Sequence, residues 1–428
     1  MTKKPFSRHT RAITVAAFLA MTCNGPAIPP AGAADDAVVL IDGYIPRFAQ
    51  KKEMNRLYGS AYGELHAAIL ARQARGQNLD CSAQILSEAG WLIQYTNQKA
   101  RVDKRLADLR ASLDLPAERQ RAAREQAPSD GSWGGCFEEW FLRLHASADP
   151  LKELAHRKQR PAHPLRFLDR VDSPEKIGAH MASIKLSRAG HDGKDNRKEL
   201  NLTVTGLGQL LFLAELEPVM DPKWPRASVA AALKKFMDDE WQDAKAGYWG
   251  PWYEVDGKVV KTEDLSITFH IASYRGGQVP YLKELVRTTL AIRERPYPYG
   301  WHDRGTQNNH HAYDIVRLLR FGWPLMTLEE KAKAQAELFI IATRARRLSL
   351  NGIGEFDTRP YSNVDEAYYF GVSLFDELGY FRDSRRFWID MKPDGAEELR
   401  EKILASIERL NIESPMMAAA RRKLIARD

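Results

Sequence analysis

The sequence predicts a mostly α-helical protein, its helices paired into an incomplete (α/α) toroid with a minor β-hairpin. Three observations point there. Apolar residues recur at helical spacing through most of the chain, alternating strands are few, and long aromatic-rich loops join the helical runs. No strict internal repeat is visible, which argues against a solenoid. In a toroid, inner and outer helices alternate and the loops at one end form a cleft.

Residues 1–33 read as a cleavable signal peptide. Lys3, Lys4, Arg8 and Arg11 form a basic start, Ala12 to Met21 is a short apolar run, and Ala31-Gly32-Ala33 supplies small residues for cleavage. The run is too short to span a bilayer, and no other stretch is long and apolar enough to be a membrane helix. The expected location is therefore the periplasm or the exterior. Removing the four basic residues leaves 59 Lys and Arg against 56 Asp and Glu. That near balance gives no reason to expect a nucleic-acid partner.

Residues 34–428 are long enough for one large helical domain, with 34–165 as a candidate N-terminal helical subdomain. Cys81 and Cys136 either form a disulfide, as an oxidising compartment permits, or stand as two buried thiols. Helical periodicity begins at Met54–Arg75 and continues over approximately 83–113. Ser173-Pro174-Glu175 starts another helix, with Ser at the cap and Pro at the first helical position. Runs follow at 199–216, 226–240, 279–293, 311–320, 364–378 and 395–427. Thr327-Leu328-Glu329-Glu330 carries the capping-box pattern. The best hairpin is Trp252 to Val260 around Asp256-Gly257.

Chemistry-bearing residues concentrate in two places. The stretch 297–314 runs from a Gly- and Pro-containing loop into an apolar helix, and contains Asn308-Asn309-His310-His311. One asparagine serves as an ordinary cap. Paired asparagines followed by paired histidines also offer an amide donor beside an imidazole that exchanges protons near neutral pH. Adjacent histidines on a helix diverge, and no third ligand lies at short spacing, so no metal site is expected. In 247–277, Trp249, Trp252 and Tyr253 either stack on sugar rings or fill the core. His270 sits amid apolar residues, and Asp264, His270 and Arg275 are candidates for the same cleft as His310. Residues 188–201 read as a solvated loop and helix start, or as a binding loop with Arg197 on an anion.

The Asn-Asn-His stretch at a loop-to-helix junction resembles the alginate lyase superfamily, whose helical-toroid members carry Asn-Asn-His before an aromatic residue. Downstream, Asn351-Gly352-Ile353-Gly354-Glu355-Phe356-Asp357-Thr358-Arg359 is similar to that family's Asp-Gly-Ser-x-Pro-x-Glu-x-x-Arg segment. A tyrosine-bearing helix follows, here Glu366-Ala367-Tyr368-Tyr369-Phe370. The resemblance covers roughly residues 300–370, lacks the family's proline and has Asp357 where Glu is usual.

The resemblance implies β-elimination at a uronic acid, with an acidic polysaccharide as partner and no cofactor. Asn309 and Arg359 would hold the carboxylate, since a guanidinium matches its two oxygens. His310 would abstract the C5 proton or support that step, and Tyr368 would act as acid, or as base and acid in turn. Tyr369 and Tyr361 are alternatives for the tyrosine. Asn308, His311 and Tyr369 join the aromatic residues as candidate substrate contacts. Glu263, Asp264, Asp314, Glu355 and Asp357 keep open a glycoside hydrolase on the same scaffold. A glycan-binding or envelope protein without catalysis is the third reading.

Overall fold

A computed structural model describes residues 47–426, except 74, 304–306, 362 and 413. The expected signal peptide lies outside the described residues. Three helices open the fold: α1 (Arg47–Gln73), α2 (Asp80–Tyr95) and α3 (Lys99–Ser112), each packed on the next. The run expected over 83–113 is thus two helices. Thr96 turns extended (φ −136°, ψ 168°) and ends α2. Its hydroxyl donates to the Leu92 carbonyl at 2.7 Å, the local competition by which Thr disrupts a helix. After the short α4 (Ala117–Arg121), a disulfide joins Cys81 in α2 to Cys136 in the following loop.

Helix α5 (Trp140–His156) carries Pro150 in its interior. It packs on α7 (Arg197–Phe212), reached through α6 (Pro174–Lys185), whose Ser173 cap accepts from the Lys176 amide at 3.2 Å. Helix α7 is buried on nearly every face, as a central helix must be. Its two glycines explain the closeness of its neighbours. A Cβ at Gly206 would lie 2.7 Å from Leu144 of α5, and one at Gly208 would lie 2.7 Å from a Tyr274 ring carbon.

Helix α8 (Arg226–Lys235) runs into a π-helical turn at 236–241. The hairpin follows as β2 (Trp252–Val255) and β3 (Lys258–Lys261), antiparallel, with Asp256 and Gly257 both at positive φ in the turn. The two-residue strand β1 (Leu186–Ser187) adds a parallel edge to β2. Helix α9 (Leu265–Tyr274) starts on Asp264, whose carboxylate accepts from the Ile267 amide. Then come α10 (Leu282–Ala291), α11 (Asn309–Gly322), α12 (Leu328–Leu348) with its capping box formed, and α13 (Val364–Glu377). The run expected over 395–427 is two helices, α14 (Ala396–Leu410) and α15 (Pro415–Ile425). Asn411 in left-handed conformation (φ 49°) separates them.

Packing follows a simple succession: α5 on α7, α7 on α9, α9 on α11, α11 on α13 and α13 on α15. The even-numbered α6, α8, α10, α12 and α14 intervene in sequence, and one continuous hydrophobic core extends through the helices. Among the described residues, no helix is long and apolar enough to cross a membrane.

Candidate functional site

The site begins at the N-terminus of α11. Asn308 is the cap, its side-chain oxygen accepting from the His310 amide at 3.0 Å. His310 and His311 diverge from the first turn. The His311 ring stacks on Tyr297 with centroids 3.4 Å apart, and its Nδ1 is hydrogen-bonded to Asp303. The His310 ring stacks instead on Phe370 of α13, with centroids 3.8 Å apart. One turn on, Asp314 is fully buried. Its Oδ2 accepts the Tyr297 hydroxyl at 3.0 Å, and its Oδ1 lies 3.9 Å from His310 Nε2. Burial drives the His310 imidazole well below its ordinary value, helped by His311, His270 and Lys198. Burial likewise pushes the Asp314 carboxyl well above its ordinary range.

Neighbouring helices bring further ionisable groups to the same region. On α9, His270 stacks on Tyr274 and its Nδ1 lies 3.2 Å from the Tyr274 hydroxyl. Burial lowers His270 to about 3, with His145, Lys198 and Arg197 adding to the effect. On α5, burial together with Lys198 lowers His145 to about 4. Burial acts to raise Asp149, but Lys152 at 2.7 Å outweighs it and holds the carboxylate below its ordinary value. His145 and Asp149 are nevertheless open to solvent.

Two lysines and a tyrosine complete the group. Burial lowers Lys198 of α7, and it lowers Lys423 of α15 to about 8. Lys423 sits 4.6 Å above the ring of Tyr369 and donates to Ser373 Oγ at 2.5 Å. Burial raises Tyr369, so it keeps its phenolic proton at neutral pH. Tyr369 in turn helps to raise Tyr274, tying α13 to α9. Helices α5, α7, α9, α11, α13 and α15 thus each contribute to one set: imidazoles held neutral, ammonium groups and protonated phenols.

Several residues expected at the site lie elsewhere. Asn309 is 1% exposed, and its amide donates to Ser349 Oγ at 2.9 Å, so it caps the interior and does not face a carboxylate. Arg359 projects into solvent with its side chain 81% exposed, folded back on Asp357 at 2.7 Å. Tyr368 is 1% exposed, its hydroxyl bound to Ser406 and its ring packed on Phe356. Tyr368 and Tyr369 leave α13 about 100° apart, so one ring enters the core while the other lies under Lys423. Tyr361 accepts the Asn309 amide at 2.7 Å.

The aromatic candidates divide in the same way. Trp249 is completely buried and donates to the Met237 carbonyl, so it belongs to the core. Tyr253 is buried against Tyr299 and donates to Asp195. Trp252 is half-buried, with the Lys185 and Lys261 ammonium groups over its ring at 4.2 and 5.1 Å. Arg275 is locked in a two-pronged pair with Asp238, and Arg197 in a buried pair with Asp264.

The residues that escaped notice are His145, Asp149 and Lys152. They share one face of α5 at helical spacing, and the interior Pro150 conceals that helix from pattern reading. Lys198 was visible only as one charge in a polar run. Among the described residues, no cluster of His, Cys, Asp and Glu is arranged to hold a metal ion. Comparison of the chain with protein-family models, with curated proteins and with solved structures gives no match.

Proposed function

We propose that this protein is an exported polysaccharide lyase that cleaves a uronate-containing glycan by β-elimination, on helices arranged as an incomplete (α/α) toroid. The alternation of successively packed odd-numbered helices with intervening even-numbered ones supports that architecture. The observation carrying the function is the set of neutral imidazoles, His145, His270 and His310, gathered with Lys198, Lys152 and protonated Tyr369.

β-Elimination needs these parts. Ammonium groups meet the uronate carboxylate and stabilise the charge that develops on it. A neutral imidazole takes the C5 proton. The electron pair of that C–H bond forms the C4–C5 double bond, and the C4–O bond breaks with its electrons on the leaving oxygen. The Tyr369 phenol then protonates that oxygen. Solvent returns the proton from imidazolium to phenolate. Lys198 and Lys152 thereby take the carboxylate role expected of Asn309 and Arg359, and Tyr369 that of Tyr368.

Most carboxyl groups named for a hydrolase are engaged, Glu355 with Arg409 at 3.4 Å among them, which leaves Asp149, exposed beside Lys152, as the carboxylate open to that reading. Asp264 pairs with Arg197, Glu263 with Arg295 at 2.5 Å and Asp357 with Arg359, while Asp314 has no surface. The test is a panel of uronate polymers assayed by the ultraviolet absorbance of the unsaturated product. Tyr369→Phe is expected to lower turnover by about 10²–10⁴. Tyr368→Phe is expected to retain turnover and lose about 1 kcal/mol of stability with its Ser406 hydrogen bond. New reducing ends without absorbance would point to a hydrolase, and glycan binding without fragments to a binding protein.

A further inference from the structure

Asp314 lies one turn beyond His310 on α11 and has no exposed surface. Its Oδ2 accepts from the Tyr297 hydroxyl at 3.0 Å. Its Oδ1 is buried without a hydrogen-bond partner, 3.9 Å from Nε2 of His310. Arg317, the cation whose charge acts on Asp314, is engaged elsewhere, donating to the Tyr313 hydroxyl at 2.6 Å and lying 3.8 Å from Glu377. An ionised Asp314 would be a carboxylate in a dry interior with one neutral donor, a heavily disfavoured state. A protonated Asp314 carries no charge and places a donor, in place of an unpaired acceptor, on the side of His310. Oδ2 accepts from Tyr297, and the Oδ1 hydroxyl points its proton at Nε2. The gap is longer than a hydrogen bond, as such contacts often are before substrate tightens them.

We infer that Asp314 is a carboxylic acid that donates to Nε2 of His310 and fixes the imidazole with its own proton on Nδ1. The groups around His310 are compatible with a neutral ring: Phe370 of α13 covers one face, and His311 of α11, His270 of α9 and Lys198 of α7 all oppose a positive charge there. Asp314 is then a positioning residue, and His310 presents an N–H. Under the lyase reading, on which this consequence rests, His310 donates to an oxygen of the substrate's carboxylate. It leaves the set of candidate bases, so the C5 proton falls to His145 or His270.

The test reads the tautomer directly. Full-length protein with isotopically labelled histidine is examined by long-range nitrogen–proton NMR, the His310 signals being assigned by their loss in His310→Gln. Asp314→Asn is the informative variant, because an amide offers the same acceptor to Tyr297 and the same N–H donor to Nε2. The expected result is the Nδ1–H tautomer in the parent and in Asp314→Asn, with turnover within about threefold of each other. In Asp314→Leu the tautomer preference is expected to be lost; the first two proteins decide the matter if that variant does not fold. A parent ring protonated on Nε2 that switches to Nδ1 in Asp314→Asn, with turnover falling on the order of 10⁴, would overturn the inference and mark Asp314 as ionised. The spectrum needs no substrate. A chain that cleaves no uronate glycan sinks the lyase reading while the tautomer still stands or falls on its own.

Discussion

His270 shows how burial sets chemistry at the level of one side chain. Its ring is half-buried beside Tyr274, and burial, with His145, Lys198 and Arg197, brings its proton affinity down to about 3 from an ordinary 6.5. The unfolded chain binds that proton near 6.5 and the folded chain only near 3, so between those values unfolding takes up a proton. The stability this confers is fully present above the unfolded value and is lost as pH falls toward the folded one. Melting temperatures followed from neutral pH down to about 4 should decline, and decline less steeply in His270→Gln. Equal slopes would mean that His270 is not held neutral. The same neutrality keeps a base available under mildly acidic conditions. Adjacent residues can have unrelated fates, as Tyr368 and Tyr369 show: the hydroxyl of one is spent on Ser406, while the ring of the other lies beneath Lys423.

Between helices, the decisive contacts are made by small residues. Gly206 and Gly208 on α7 admit Leu144 of α5 and Tyr274 of α9, and His145 and His270 on those helices both feel the charge of Lys198. A methyl group at Gly208 meets an aromatic ring carbon that belongs to the site itself. Gly208→Ala should therefore displace Tyr274, cost about 1–3 kcal/mol by overpacking and lower turnover, as read by urea unfolding and the product absorbance. Unchanged stability and turnover would show that α9 is not held by this contact. Local signals were enough for the caps at Ser173 and Thr327 and for the hairpin, because each depends on residues a few positions apart. They were not enough for α5, where Pro150 reads as a breaker although its helix is held by packing on α7.

Across the whole molecule, the N-terminal helices are stapled to the body by the bridge between Cys81 and Cys136, which are separated by 55 positions. Constraining an unfolded loop of that length contributes about 4 kcal/mol in the chain-entropy account. Cys81→Ser or a reductant should lower the denaturation midpoint accordingly, and the two treatments together should add nothing further. A variant as stable as the parent under oxidising conditions would show that the bridge does not form.

The sequence by itself determined the helical class, most of the helix starts, the hairpin turn and an asparagine cap at 308 or 309, which the structure assigns to Asn308. These follow from periodicity and from bonds between near neighbours. It also singled out His310, His311, His270 and, as an alternative, Tyr369. Tertiary structure decided which of the polar residues meet. It turned Asn309, Trp249, Tyr253 and Tyr368 inward, left Arg359 in solvent, and locked Arg275 on Asp238. It drew Lys198 toward His310, and His145 and Asp149 toward His270 and Tyr274, from far away in the chain. The reason is physical: a helix face is local, but what lies across from it depends on how helices distant in sequence pack.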